Sequence, residues 1–156
     1  MELSVERILS KIQDAIQLYY QLIFLVGASG TGKTPELRAI HERTGAPIIN
    51  VSLELSKAML ELNQRQRMLQ LPKLLSGLLG QSNANIILLD NIEILFAASM
   101  KQDPLRLLQG LSRNKTIVAS CSGMIEGDYL VYAEPDHPEY KRYPTRDLLI
   151  ECTIAH

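Results

Sequence analysis

The sequence predicts a three-layer α/β fold built on a mostly parallel sheet, and three observations carry that prediction. Residues 27–34 read Gly-Ala-Ser-Gly-Thr-Gly-Lys-Thr, set between an apolar run and a stretch that can be helical. A second apolar run, Ile86 to Leu89, ends in a carboxylate, Asp90. Along the chain, short apolar runs alternate with stretches of helical periodicity, the pattern of strands joined by crossover helices.

The glycine-rich run is the most specific of the three. It matches without a break the phosphate-binding loop (P-loop) of nucleoside triphosphatases, G-x-x-x-x-G-K-S/T. Gly27, Gly30 and Gly32 let backbone N–H groups converge on an anion, and the helix that follows adds the positive potential of its N-terminus. Ala28, Ser29 and Thr31 complete the cradle. Lys33 can reach the β- and γ-phosphates, and the Thr34 hydroxyl can ligate Mg²⁺. Pro35 is compatible with a first helical turn, where the N–H has no intrahelical partner. The expected ligands are ATP and Mg²⁺.

The elements follow in order. Apolar residues at 5, 8, 9, 12, 15, 16 and 19 predict an amphipathic N-terminal helix over 3–20. Residues 22–26 form the strand before the glycine-rich loop, and 35–44 the first crossover helix, with Gly45 as its terminator. Pro47 to Val51 reads as a second strand. Residues 55–71 and 73–80 read as helices interrupted at Pro72, with Met68, Leu71, Leu75 and Leu78 on one face. The run ending in Asp90 suits a parallel strand buried on both sides. Asp103-Pro104 starts a helix, Asp as N-cap and Pro at the first helical position, running to about Ser112. Strands are expected at 116–120, 129–133 and 148–153. The helical excursion between the second strand and the Asp90 strand suits the additional-strand class of ATPases, in which another strand lies between the loop strand and the Asp strand.

Composition bounds the rest. A chain of 156 residues suggests one domain, with residues 1–20 as an N-terminal helix and 21–156 as the α/β core, and 46% hydrophobic content is enough for a real core. The formal charge of -1 provides no global field toward nucleic acid or anionic membrane, so any DNA contact must come from a local patch. Cys121 and Cys152 fit no metal spacing and suit reduced thiols. Apolar runs are too short to span a bilayer, and the N-terminus has no signal-like core. The expectation is a cytoplasmic protein with no membrane association.

Asp90 is the candidate Mg²⁺-side aspartate, with a strand-end cap as the plainer role. Hydrolysis also needs a carboxylate to orient water. The next residue is Asn91, whose amide can position water but cannot take its proton. Glu93 is the substitute, or else an ordinary helix-start glutamate. Ser120 and Ser122 stand where a γ-phosphate sensor would sit, or are turn residues before Gly123. Arg113 is the candidate arginine finger in trans, with Arg106, Arg142 and Arg146 as rivals. Tyr19 and Tyr20 can flank an adenine ring or form the core face of the first helix. The segment 129–144, with four tyrosines, three prolines and Lys141-Arg142, reads as a proline-stiffened loop or as an aromatic and basic surface for partners or bases.

Four segments together resemble the BrxF family, small P-loop proteins of type 3 bacteriophage-exclusion (BREX) operons: LYYQLIFLVGASGTGKT (18–34), IILLDNIEILF (86–96), QDPLRLLQGLSRNKTIVAS (102–120) and YLVYAEPDHPEYKRYP (129–144). The likeness covers nearly the whole chain. It implies an AAA+-like ATPase in a prokaryotic anti-phage system that tells self from foreign DNA by methylation, with other proteins of the operon as partners. By position it makes Gly27 to Thr34 Walker A and Asp90 with Glu93 Walker B. The chain departs from fuller AAA+ proteins in carrying Asn91 where a glutamate is usual, and in having no helical lid domain after the sheet. The leading expectation is a slowly hydrolysing, ATP-binding module that forms a homo-oligomer and switches partner or DNA engagement. A small-molecule kinase and a non-catalytic nucleotide-binding adaptor are the alternatives. A GTPase is disfavoured, because Asn114-Lys115 lacks the following aspartate of a guanine motif.

Overall fold

A computed structural model describes residues 2–27, 33–133 and 136–153. The elements are α1 (Glu2–Ala15), β1 (Leu22–Gly27), α2 (Lys33–Thr44), β2 (Ile48–Asn50), α3 (Val51–Ala58), α4 (Gln64–Gly80), β3 (Ile86–Asp90), α5 (Pro104–Leu111), β4 (Thr116–Ser122), β5 (Met124–Glu126), β6 (Tyr129–Tyr132), β7 (Lys141–Pro144) and β8 (Leu149–Cys152). Short 3₁₀ turns at Glu93–Phe96, Ala98–Met100 and Thr145–Asp147 complete the path.

Strands β2-β3-β4-β1-β8 make a five-stranded sheet in that order, and every neighbouring pair is parallel. β4 lies between the loop strand β1 and the Asp90 strand β3, the additional-strand arrangement. The period-2 alternation of side chains divides the apolar strands between two cores. Ile23, Leu25, Leu88 and Val118 point to one face, where they meet Val5, Ile8 and Ile12 of α1 and Leu37 and Ile40 of α2. Leu22, Phe24, Val26, Ile87, Leu89, Ile117 and Ala119 point to the other, against Leu55 of α3, Leu71, Leu75 and Leu79 of α4 and Leu108 of α5. Two helical layers therefore sandwich one sheet.

Three sequence expectations are corrected. The first helix ends at Ala15 instead of Tyr20; Val5, Ile8, Ile12 and Ala15 are buried, while Ile16 and Tyr19 are 53% and 63% exposed. The second strand stops at Asn50, which becomes the N-cap of α3 by accepting from the Leu53 N–H. The break in the long helical stretch falls at 59–63, not at Pro72. Asn63 and Gln66 form a reciprocal capping box that starts α4 afresh, and α4 then runs through Pro72. Proline there deprives the Met68 carbonyl of its intrahelical donor, and Gln102 Nε2 supplies one at 2.8 Å.

The 129–133 strand also differs in its company. It is β6, the centre of a separate antiparallel sheet ordered β5-β6-β7. Gly127 (φ +59°) and Asp128 form the tight loop between β5 and β6. Gly123 is the corner where the chain leaves β4 for this second sheet: a Cβ there would stand 2.6 Å from the Val131 carbonyl oxygen. The 129–144 stretch is thus strand at its two ends, β6 and β7, with Arg142 stacked on the Tyr129 ring at 3.4 Å and Tyr132 stacked on Phe96 at 3.9 Å between centroids.

Candidate phosphate site at the carboxyl ends of the strands

In open α/β sheets ligands bind beyond the carboxyl ends of the strands. Here β1 ends at Gly27, β3 at Asp90 and β4 at Ser120 to Ser122. The register sets Gly27 opposite Ser122 and Leu89 opposite Ala119, so Asp90 comes level with Ser120.

Asp90 is 7% exposed and held at both oxygens. Its Oδ1 accepts from Ser120 Oγ at 2.9 Å and from the Asn91 N–H at 3.0 Å. Its Oδ2 accepts from Thr34 Oγ1 at 2.9 Å, across 56 residues of sequence. Lys33 and Thr34 open α2, and Lys33 is buried with its ammonium donating to the Gly27 carbonyl at 3.0 Å. The two ends of the expected site, Lys33–Thr34 and Asp90, therefore meet. Ala28, Ser29, Gly30, Thr31 and Gly32 lie outside the described residues.

Glu93 begins the 3₁₀ turn after β3 and accepts from Ser122 Oγ at 3.4 Å. Ser120 and Ser122, read in the sequence as a sensor pair, each engage an acid: Ser120 holds Asp90 and Ser122 approaches Glu93. Between them, burial pushes the Cys121 thiol up to about 12, opposed by the Lys33 charge and aided by Glu93. Tyr132 also rises to about 12, from burial first and then from Glu139 and Glu93. Cys121 thus feels the charges of both Lys33 and Glu93, and Tyr132 that of Glu93.

Asn91 adopts φ +52°, a left-handed conformation that asparagine tolerates far better than glutamate. Its main chain is what the fold uses. The Asn91 carbonyl accepts from the Ser52 N–H at 2.9 Å and Ser52 Oγ at 2.6 Å, pinning the start of α3 beside the site. Asparagine suits this left-handed turn, a fit that sequence alone did not reveal.

Arg113 falls elsewhere. It precedes β4, at the amino end of the sheet, and its guanidinium lies 4.6 Å over the Tyr19 ring. In its own chain it is remote from Asp90; acting in trans would need a neighbour to present its phosphate site to this opposite end. Tyr19 and Tyr20 share that end, so they neither flank a nucleotide on the loop nor face the core. Lys115 of the Asn114-Lys115 pair closes α4, donating to the carbonyls of Leu79 at 3.2 Å and Ser82 at 2.5 Å.

The donor set suits Mg²⁺. That ion favours hard oxygens and keeps several waters, taking only one or two protein ligands besides the phosphates. A hydroxyl and a carboxylate already at hydrogen-bond distance, Thr34 and Asp90, match that demand. Among the described residues no cluster of three or more His, Cys, Asp or Glu forms a closed metal cage. No helix among them is long and apolar enough to cross a membrane.

The family model for AAA, the ATPase family associated with various cellular activities, matches residues 23–121, from within β1 through the Asp90 strand to the end of β4. Comparison with curated proteins and with solved structures finds no match.

Proposed function

The chain belongs to the AAA ATPase family, and from that premise we propose that it binds Mg·ATP and hydrolyses it slowly, the nucleotide controlling assembly and the engagement of partners. The observation that carries this reading is the Thr34–Asp90 hydrogen bond of 2.9 Å, which joins the loop's metal-side hydroxyl to the strand-end carboxylate. In the proposal the segment Gly27 to Thr34 holds the phosphates, and Lys33 exchanges the Gly27 carbonyl for β- and γ-phosphate oxygens. Thr34 and Asp90 would hold Mg²⁺, which when bound neutralises charge on those oxygens. Glu93 takes a proton from the attacking water as the new P–O bond forms and the bond to the β-phosphate oxygen breaks. Asn91 adds no base, which supports slow turnover. No finger is assigned to Arg113.

AAA ATPases commonly oligomerise, so the assembling species is taken to be a second copy of this chain. The likeness of the four segments to the BREX P-loop proteins supports a cytoplasmic role in anti-phage defence, with operon proteins and DNA as partners. Phosphate release from ATP tests the catalytic part. Glu93→Gln is expected to lower the rate by about 10²-fold or more while leaving ATP binding intact. Turnover unchanged by that substitution would remove Glu93 from the mechanism. A nucleotide-binding adaptor is the second reading, favoured by the amide of Asn91 standing where a catalytic carboxylate is usual; it predicts ATP binding with no phosphate released at all.

A further inference from the structure

The amino end of the main sheet carries an open cleft of about 530 Å³ lined by Tyr19, Tyr20, Arg106, Gln109, Gly110 and Arg113. It is separate from the phosphate site, and nothing in the ATP reading uses it. Tyr19 and Tyr20 are 63% and 40% exposed, and their rings meet edge to face with centroids 4.8 Å apart. The Arg113 guanidinium covers part of the Tyr19 ring and has no carboxylate within ion-pair distance among the described residues.

The cleft is held in shape from below. The Gln21 N–H bonds to the Ser112 carbonyl at 2.8 Å, Gln21 Nε2 donates to the Arg113 carbonyl at 3.3 Å, and Thr116 Oγ1 donates to Gln21 Oε1 at 2.8 Å. These bonds lash the tyrosine segment to the arginine segment. Arg106 projects from α5 with 87% side-chain exposure, loosely paired to Asp103 at 3.7 Å.

The lining selects its ligand. It holds two guanidiniums, two phenol rings and an amide, with no carboxylate and no aliphatic side chain. Ile16 and Leu18, 53% and 47% exposed, precede the tyrosines in the chain but do not line the cleft itself. A flat π system attached to an anion finds a ring to stack on and cations beside it. We propose that this cleft binds single-stranded nucleic acid, one base stacking on Tyr19 and the adjoining phosphates meeting Arg106 and Arg113. With a formal charge of -1 there is no global attraction, so the contact is local and involves few phosphates.

Fluorescence anisotropy of a labelled single-stranded oligothymidylate with the full chain tests the proposal. Binding is expected, with duplex of matching length binding more weakly. Two phosphate contacts predict a slope of log affinity on log salt of about -1.4. Tyr19→Ala should weaken binding at least about fivefold while Tyr19→Phe retains it. The double variant Arg106→Gln/Arg113→Gln should flatten the salt slope. Binding of a Mg·ATP analogue by Tyr19→Ala reports that the variant is folded. Absence of oligonucleotide binding at low salt, or binding indifferent to Tyr19→Ala, overturns the proposal. So does equal competition by thymidine monophosphate, which would make the cleft a mononucleotide site. Loss of self-association in Arg113→Gln with oligonucleotide binding unchanged would instead assign the cleft to a neighbouring copy.

Discussion

At Asn91 the backbone turns through φ +52° directly after the site carboxylate, and its carbonyl anchors α3 through Ser52. A side chain without asparagine's local tolerance is strained there by roughly 1–2 kcal/mol. Asn91→Glu is therefore expected to lower stability by about that amount in urea titration, with Asn91→Gly much closer to the parent. A glutamate variant as stable as the parent would show that the strain is absent. Cys121 offers a second residue-scale test. Its thiol, ordinarily at 9.0, is held near 12 in the fold, so its stabilising effect is complete below about pH 9 and is lost as pH rises toward 12. The urea midpoint should fall over that window, and Cys121→Ala should remove the part of the fall that begins near 9. In the native protein an alkylating reagent is expected to reach the exposed Cys152 first and spare buried Cys121, which mass spectrometry after digestion would show.

Element boundaries depend on partners at several distances along the chain. The stretch from Val51 to Gly80 divides at Asn63, where a capping box pairs Asn63 with Gln66. That signal stood in the sequence, Asn followed three residues later by Gln, yet Pro72 is the louder punctuation. What makes Pro72 tolerable is Gln102, thirty-four residues from the Met68 carbonyl that it satisfies, and no local pattern announces it. Gln102→Ala is expected to cost about 1 kcal/mol, read as a lower urea midpoint; no change would mean that water serves the carbonyl equally well. The antiparallel sheet was legible in part. Gly127-Asp128 between Met124–Glu126 and Tyr129–Tyr132 is a two-residue hairpin signal, but the pairing of β6 with β7 and the stacking of Tyr132 on Phe96 are tertiary facts. At its root, Gly123→Ala forces a Cβ toward the Val131 carbonyl and should loosen the Ser122–Glu93 approach.

For the whole molecule, the parallel sheet has two unlike ends. Its carboxyl end gathers Lys33, Thr34, Asp90, Ser120, Ser122 and Glu93; its amino end displays Tyr19, Tyr20, Arg106 and Arg113. That another strand lies between the loop strand and the Asp90 strand was readable, because a loop motif and a buried strand ending in aspartate are local patterns. The stacking of Arg113 on Tyr19 was not, since that contact joins segments far apart in the sequence. Nucleotide-dependent assembly belongs to this scale: light scattering should give a larger mass with a non-hydrolysable ATP analogue and Mg²⁺ than without, and equal masses would detach assembly from the nucleotide. Binding at the phosphate site itself comes before assembly. Isothermal calorimetry of the chain with that same analogue and Mg²⁺ should register saturable heat that Lys33→Ala abolishes. Absence of heat from the parent chain, or identical heat from the variant, would contradict it.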